Sequence, residues 1–226
     1  MKIIDVVCAP GRTGFFFDDQ KAIKSGAKMD GNAYFGDPLT PGFTGVRQAG
    51  ESISVMLILE NGQVAVGRCA AVQYSGAGGR DPLFLAEDFI PVIYQDIKPA
   101  LVGMEIGNFK DMAEKFDSFK DKNGNRLHTA LRYGLTQALL DAAAKKSKKL
   151  MATVVARDYG TVVSDKMIPI FSQSGDDRYT NVDKMILKGA DCLPHALFNN
   201  LEKIGSNGVK LAEYVKWLSD RILKLR

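Results

Sequence analysis

His195, in the run Leu193-Pro194-His195-Ala196, is the residue in the second half of the chain best suited to moving a proton, because an imidazole titrates near neutral pH. Upstream of it, residues 171–185 read FSQSGDDRYTNVDKM: an apolar strand end, a polar turn through Gln173, Ser174, Gly175, Asp176 and Asp177, and a helix. Strand, turn, helix and then a histidine form the opening pattern of a βα-barrel, whose reacting groups sit on the C-terminal ends of its strands. A complete barrel takes about 200 to 250 residues. The stretch from Met167 to Arg226 is far shorter, so the expectation is an enzyme with much of its catalytic machinery outside this sequence.

The elements that would position these residues begin with an antiparallel meander. Residues 3–9 form an apolar run, residues 10–50 are rich in Gly and broken by Pro, and residues 52–59 and 64–72 are β-rich. Asn61-Gly62 between the last two predicts a tight hairpin of type I′, which needs positive φ at both positions. Helices are expected from Asp81-Pro82 to about Tyr94, over 108–121 and over 125–144. In the third, Leu127, Ala130, Leu131, Leu135, Ala138, Leu139 and Ala142 recur at helical spacing and bury one stripe. His128 falls on another face and reads as a surface or cap-contact histidine. Residues 149–156 begin the handover to the barrel, 167–171 form its first parallel-type strand, and helices follow over 181–188 and 209–224. The last of these turns Leu211, Tyr214, Val215, Leu218, Ile222 and Leu225 inward. The fold class is thus an α+β cap, a meander plus a helical bundle, over residues 1–160, followed over 161–226 by the first βα units of an incomplete barrel.

Composition narrows the functional classes. With 46% hydrophobic and 25% charged residues, the chain has the balance of a globular protein rather than a disordered one. Its 30 basic and 26 acidic residues give a net +4, without the basic stripe of a nucleic-acid binder. Lys145, Lys146, Lys148 and Lys149 read as the cationic end of a helix, complementing its dipole. No run reaches the roughly 18 apolar residues a membrane span needs. Cys8, Cys69 and Cys192 lack CxxC spacing and sit in apolar runs, as buried thiols in a reducing cytoplasm would. Gly76, Gly78 and Gly79 lack the GK[ST] ending of a phosphate loop and read as a lid. Asp176 and Asp177 read as a helix cap and turn, and Phe15, Phe16 and Phe17 as packing that loop onto the barrel mouth.

The runs QYSGAGGRDPLF (73–84), NGNRLHTALRYGLTQALLDAAAK (123–145), QSGDDRYTNVDKMI (173–186), LPHA (193–196) and EYVKWLSDRILKLR (213–226) together resemble the methylaspartate ammonia-lyases of the enolase superfamily, and the resemblance runs the length of the chain. It implies a cap plus barrel, usually as a homodimer, that converts L-threo-3-methylaspartate to mesaconate and ammonia in glutamate fermentation, with Mg²⁺ and an activating K⁺. It places His195 as the acid/base group on one side of the substrate, and Gln73 and Gln173 as hydrogen-bond partners of its carboxylates. The three acidic Mg²⁺ ligands and a lysine base would lie on later barrel strands, so no residue here is a metal ligand. The proton on C3 is α to a carboxylate and is too weakly acidic for a side-chain base unless a Lewis acid stabilises the developing charge. The chain alone is therefore expected to be inactive and to need a complementary C-terminal barrel half or a homodimer partner. A reading of a different class is a non-catalytic remnant that serves as an oligomerisation or binding module.

Overall fold

The computed structural model describes residues 1–173, 178–193, 198 and 200–226. The chain falls into two compact units, Met1–Val163 and Ser164–Arg226. In the first, strands β1 (Ile3–Asp18), β4 (Arg47–Leu59) and β5 (Val64–Ala70) form an antiparallel sheet in the order β1-β4-β5. One face alternates into the core through Ile53, Val55, Leu57 and Leu59, all fully buried.

β1 does not stop at residue 9. It continues through Pro10, paired with Ile53, to Asp18, paired with Arg47. An edge strand tolerates Pro10 because the missing N–H costs no ladder bond on its free side. The register slips between Arg12 and Phe16. Gly50 lies under this bulge, where a Cβ would come within 2.6 Å of the Phe15 carbonyl oxygen. β4 accordingly starts at Arg47 rather than at residue 52. Between them the chain makes helix α1 (Gln20–Lys24) and a small hairpin of β2 (Lys28–Asp30) and β3 (Ala33–Phe35), so the stretch expected to be irregular is largely ordered by pairing. Phe17 is buried, while Phe15 and Phe16 remain exposed.

The β4–β5 hairpin stands where Asn61-Gly62 placed it, with a different turn. Gly62 N–H donates to the Leu59 carbonyl (2.8 Å) and Leu59 N–H to the Gln63 carbonyl (2.9 Å). Gly62 has φ +81°, and Asn61 is not in the positive-φ region. This is the three-residue loop with one left-handed glycine rather than type I′.

Helix α2 (Ala86–Val92) runs through a π turn (Ile93–Ile97) into α3 (Lys98–Leu101), starting later and ending later than expected. Pro91 and Pro99 lack the N–H groups that would bond Glu87 and Gln95, and the ladder widens between them. α4 (Phe109–Asp117) is capped by Asn108, and α5 (Thr129–Ser147) starts and ends later than expected; every residue of the expected stripe is buried, with Leu127 just ahead of the helix. α6 (Met151–Asp158) belongs to this unit instead of starting a handover: Val154 is in the core, and the Asp158 carboxylate accepts Phe109 N–H (2.6 Å).

α5 crosses β5 with backbone almost touching backbone. A Cβ on Gly67 would lie 1.8 Å from the Gly134 carbonyl oxygen, and one on Gly134 would lie 2.7 Å from Cys69 N. Both sheet edges are also occupied. Asp141 and Gln137 of α5 accept from Val66 N–H (2.9 Å) and Arg68 N–H (3.0 Å), and Tyr94 Oη accepts from Cys8 N–H (3.0 Å) on the β1 side. Each of these bonds takes up an edge group that would otherwise be open to pairing. Lys145 donates to the Val64 carbonyl and Lys146 to that of Ile106, so two of the four clustered lysines hold the helix end in place.

In the second unit, α7 (Arg178–Leu187), α8 (Leu201–Ile204), a 3₁₀ turn (Ser206–Gly208) and α9 (Val209–Leu225) surround a short parallel contact. Phe171 bridges Cys192, with Cys192 N–H donating to Ile170 (3.1 Å) and Ser172 N–H to Cys192 (3.3 Å). Residues 167–171 therefore make one bridge in place of the expected full strand. A parallel strand is stabilised by cover on both faces, and Ile168 here is 85% exposed. α9 buries Tyr214 and half-buries Leu211, Leu218, Ile222 and Leu225, so the expected face holds except at Val215, which is exposed; Trp217 packs beside Tyr214 instead. Cys69 is buried and Cys8 half-buried, but Cys192 is exposed, unlike the buried thiol expected.

The Gly67–Gly134 contact predicts that Gly67→Ala destabilises the first unit by overpacking, by about 1–3 kcal/mol. Urea unfolding should show a lower midpoint at unchanged slope. An unmoved midpoint would mean that the crossing has room for a methyl group.

Candidate functional site

Asp18 ends β1, and Asp19 follows it as the cap of α1. Asp18 is 2% exposed and accepts from Arg47 at both oxygens, Nε to Oδ1 at 2.6 Å and Nη2 to Oδ2 at 2.8 Å. Gln73 Nε2 donates to the same Oδ2 at 2.6 Å, and Asp18 N–H donates to the Gln73 carbonyl at 3.0 Å. The Arg47 guanidinium lies over Tyr34 (4.7 Å to the ring centre) and Phe16 (5.1 Å), and its Nη1 donates to the Asn32 carbonyl. The Asp18 carboxylate raises the pKa of Arg47 against the effect of burial. Asp19 is fully buried. It accepts from Lys21 and Ala22 N–H as the cap of α1, and from Leu39 N–H (2.6 Å), Thr40 N–H (2.8 Å) and Thr40 Oγ1 (2.7 Å). Burial would raise its pKa, but the bonds from Thr40, Leu39 and Ala22 outweigh this and hold it low.

Gln73, half-buried, is the root of the glycine-rich segment 73–81. Gly76 N–H donates to the Asp81 carbonyl (2.7 Å), and Gly76, Gly78 and Gly79 all have positive φ, so the segment is a closed loop that only glycine permits at low cost. Its far end is fastened to α5. Asp81 accepts Thr129 N–H (2.6 Å), and His128 Nδ1 accepts Ala130 N–H (3.0 Å) as the helix cap. Since Nδ1 accepts, Nε2 carries the proton and donates to the Pro82 carbonyl at 3.0 Å. The ring packs against Phe84 and Phe89, each 5.0 Å away between centres. Burial depresses the His128 pKa, outweighing the opposing pull of Pro82 and Asp81. His128 is thus the cap-contact residue of the sequence reading, buried rather than on the surface, with both nitrogens engaged. Beside it a cleft of about 450 Å³ is lined by Val72, Ser75, Arg80, Asp81, His128 and Tyr133.

Gln173 lies in the other unit, exposed, on a cleft of about 570 Å³ with Ser172, Lys184 and Lys188. His195, Asp176 and Asp177 lie outside the described residues. Arg178, which follows the acidic pair, opens α7 and stacks over Phe198 at 4.6 Å. Among the described residues no cluster of three or more His, Cys, Asp or Glu could hold a metal ion. Sequence reasoning missed Asp18 and Arg47. The adjacent acids at 18 and 19 were the available signal, but the partners of Asp18 lie 29 and 55 residues away.

Residues 1–160 match the family model for the N-terminus of methylaspartate ammonia-lyase, and residues 162–226 the model for its C-terminus. The chain belongs to the methylaspartate ammonia-lyase family. It is 66% identical, over its whole length, to the enzyme of Clostridium tetanomorphum, of which it covers 55%. The crystal structure of that β-methylaspartase as a Mg complex superposes on the whole chain with a TM-score of 0.92. The Citrobacter amalonaticus enzyme, whose crystal contains (2S,3S)-3-methylaspartic acid, is 61% identical, matches the whole chain and 55% of its own, and gives 0.90. The chain thus spans about half the length of the relatives it matches. The Bacillus subtilis L-Ala-D/L-Glu epimerase, at 15% identity, 85% of this chain, 44% of its own and a TM-score of 0.50, is similar in fold alone.

The depressed pKa of His128 has a pH signature. The unfolded chain takes up a proton near the ordinary value of 6.5 and the folded chain resists it, so the contribution of His128 is intact above that value and is lost as pH falls below it. The melting temperature of the chain should fall as pH drops from about 7 to 5.5, ahead of the carboxylates. His128→Asn retains a capping side chain and should flatten this window. An unchanged slope in the variant would assign the pH dependence to another group.

Proposed function

We propose that this chain supplies the cap, residues 1–160, and the first βα units, residues 161–226, of an enzyme that eliminates ammonia from L-threo-3-methylaspartate to give mesaconate, as in glutamate fermentation. The observation that carries this reading is the 66% identity sustained across both units to an enzyme of that name. The presence of 3-methylaspartic acid in the Citrobacter crystal supports the substrate class.

On this reading Gln73 and Gln173 donate side-chain N–H groups to the substrate carboxylates. His195 moves a proton on one side of the substrate, with a neutral imidazole suited to operate near pH 7. Mg²⁺, bound in the Clostridium crystal, supplies Lewis-acid stabilisation when present. On this reading its ligands and the opposing lysine base belong to the part of the barrel that the longer relatives carry. The same reading takes K⁺ as the activating ion and the cytoplasm as the compartment. The partner it requires is a complementary C-terminal barrel half or a homodimer. Among the described residues no helix is long and apolar enough to cross a membrane.

The test mixes this chain with a polypeptide carrying the remaining barrel of the Clostridium enzyme and follows mesaconate by its ultraviolet absorbance. Turnover is expected from the mixture and not from the chain alone. Turnover by the chain alone would overturn the assignment of the metal ligands. In the active mixture, His195→Ala should lower kcat by about 100- to 10,000-fold with assembly intact. An unaltered kcat removes His195 from the mechanism.

A further inference from the structure

The cluster of Asp18, Arg47 and Gln73 is built more tightly than a sheet end requires. Arg47 places three of its N–H groups on Asp18 and the Asn32 carbonyl, and two aromatic rings cover its faces. The Asp18 carboxylate therefore cannot swing without breaking a forked ion pair that is almost removed from water. A carboxylate in such a pair only accepts, so the Gln73 amide must face it with Nε2 and not with Oε1. Asp18 N–H holds the Gln73 carbonyl at the same time, so main chain and side chain are fastened to one residue.

We propose that Asp18 is a positioning residue that holds the Gln73 amide in one orientation, with one Nε2 proton on its carboxylate and the second left for an acceptor outside the cluster. A primary amide nitrogen has two donors. With the first engaged, the second has a fixed direction, and the rotamer freedom of Gln73 is lost before any ligand arrives, which lowers the entropic cost of binding. That the acceptor is a substrate carboxylate rests on the lyase reading above; the locking of the amide by Asp18 does not. Arg47 acts one step further out, through Asp18.

The experiment records ¹⁵N relaxation of the Gln73 side-chain amide in the 226-residue chain, with no substrate present. An order parameter near about 0.85, the value of rigid backbone, is expected, falling below about 0.6 in Asp18→Asn. Arg47→Lys keeps the charge, loses the fork and should loosen the amide partially. It decides the matter if Asp18→Asn does not fold. A Gln73 amide that is mobile in the parent chain, or equally rigid in a folded variant, overturns the proposal. In the mixture completed by the remaining barrel, Asp18→Asn should raise KM about tenfold or more and leave kcat nearly unchanged, the pattern of lost uniform binding. A loosened amide with an unaltered KM sinks the substrate role of Gln73 and leaves the lock by Asp18 standing.

Discussion

The first unit depends on the close approach of α5 and β5 at Gly67 and Gly134. Two backbones can come this near only where neither carries a side chain, and the gain is dense packing of Leu131, Leu135 and Leu139 against the sheet. Each such side chain contributes about 1.5–3 kcal/mol on burial. The crossing also sets where α5 begins, and hence where His128 and Asp81 meet its first turn. Polar residues on the same helix then cover the β5 edge, so one element completes the core, satisfies free N–H groups and anchors the far end of the 73–81 loop.

The near end of that loop is held by a different device. Asp18 ends β1, and Asp19 follows it in extended backbone as the cap of α1, so their side chains leave on opposite sides. Asp18 faces Arg47 and Gln73, and Asp19 faces α1 and the turn at Leu39 and Thr40. Each buried carboxylate has enough donors to offset desolvation, the condition under which a buried charge is stable. The loop 73–81 is thereby tied at one end by an ion-pair cluster and at the other by a helix cap, with glycines at positive φ between.

The second unit rests on a smaller core. Val182, Ile186, Ala190 and Tyr214 are buried, and α7 and α9 are joined by the Asp183–Arg221 pair and by edge-to-face contacts of Tyr179 with Tyr214 and Trp217. Its prospective strand residues, Met167, Ile168, Ile170 and Phe171, are exposed. In a closed βα-barrel such strand residues are covered by neighbouring strands and helices.

The sequence by itself determined what local periodicity and turn chemistry encode. The buried stripe of α5, the cap and barrel order, the hairpin at Asn61-Gly62 and the family were all legible, because each rests on contiguous residues. Only the tertiary structure decided the rest. Gly62 suits both a type I′ turn and a three-residue loop, and strand registry selected the second. Pro10 looked like the end of a strand, and the free edge of β1 let the strand continue. His128 looked peripheral, and the fold enclosed it between Phe84, Phe89 and the Pro82 carbonyl. Asp18, Arg47 and Gln73 carry no local signal of partnership, since their bonds span 29 and 55 residues. Side chains so far apart in sequence meet only when the sheet has chosen its register, and that choice is made by the whole core at once.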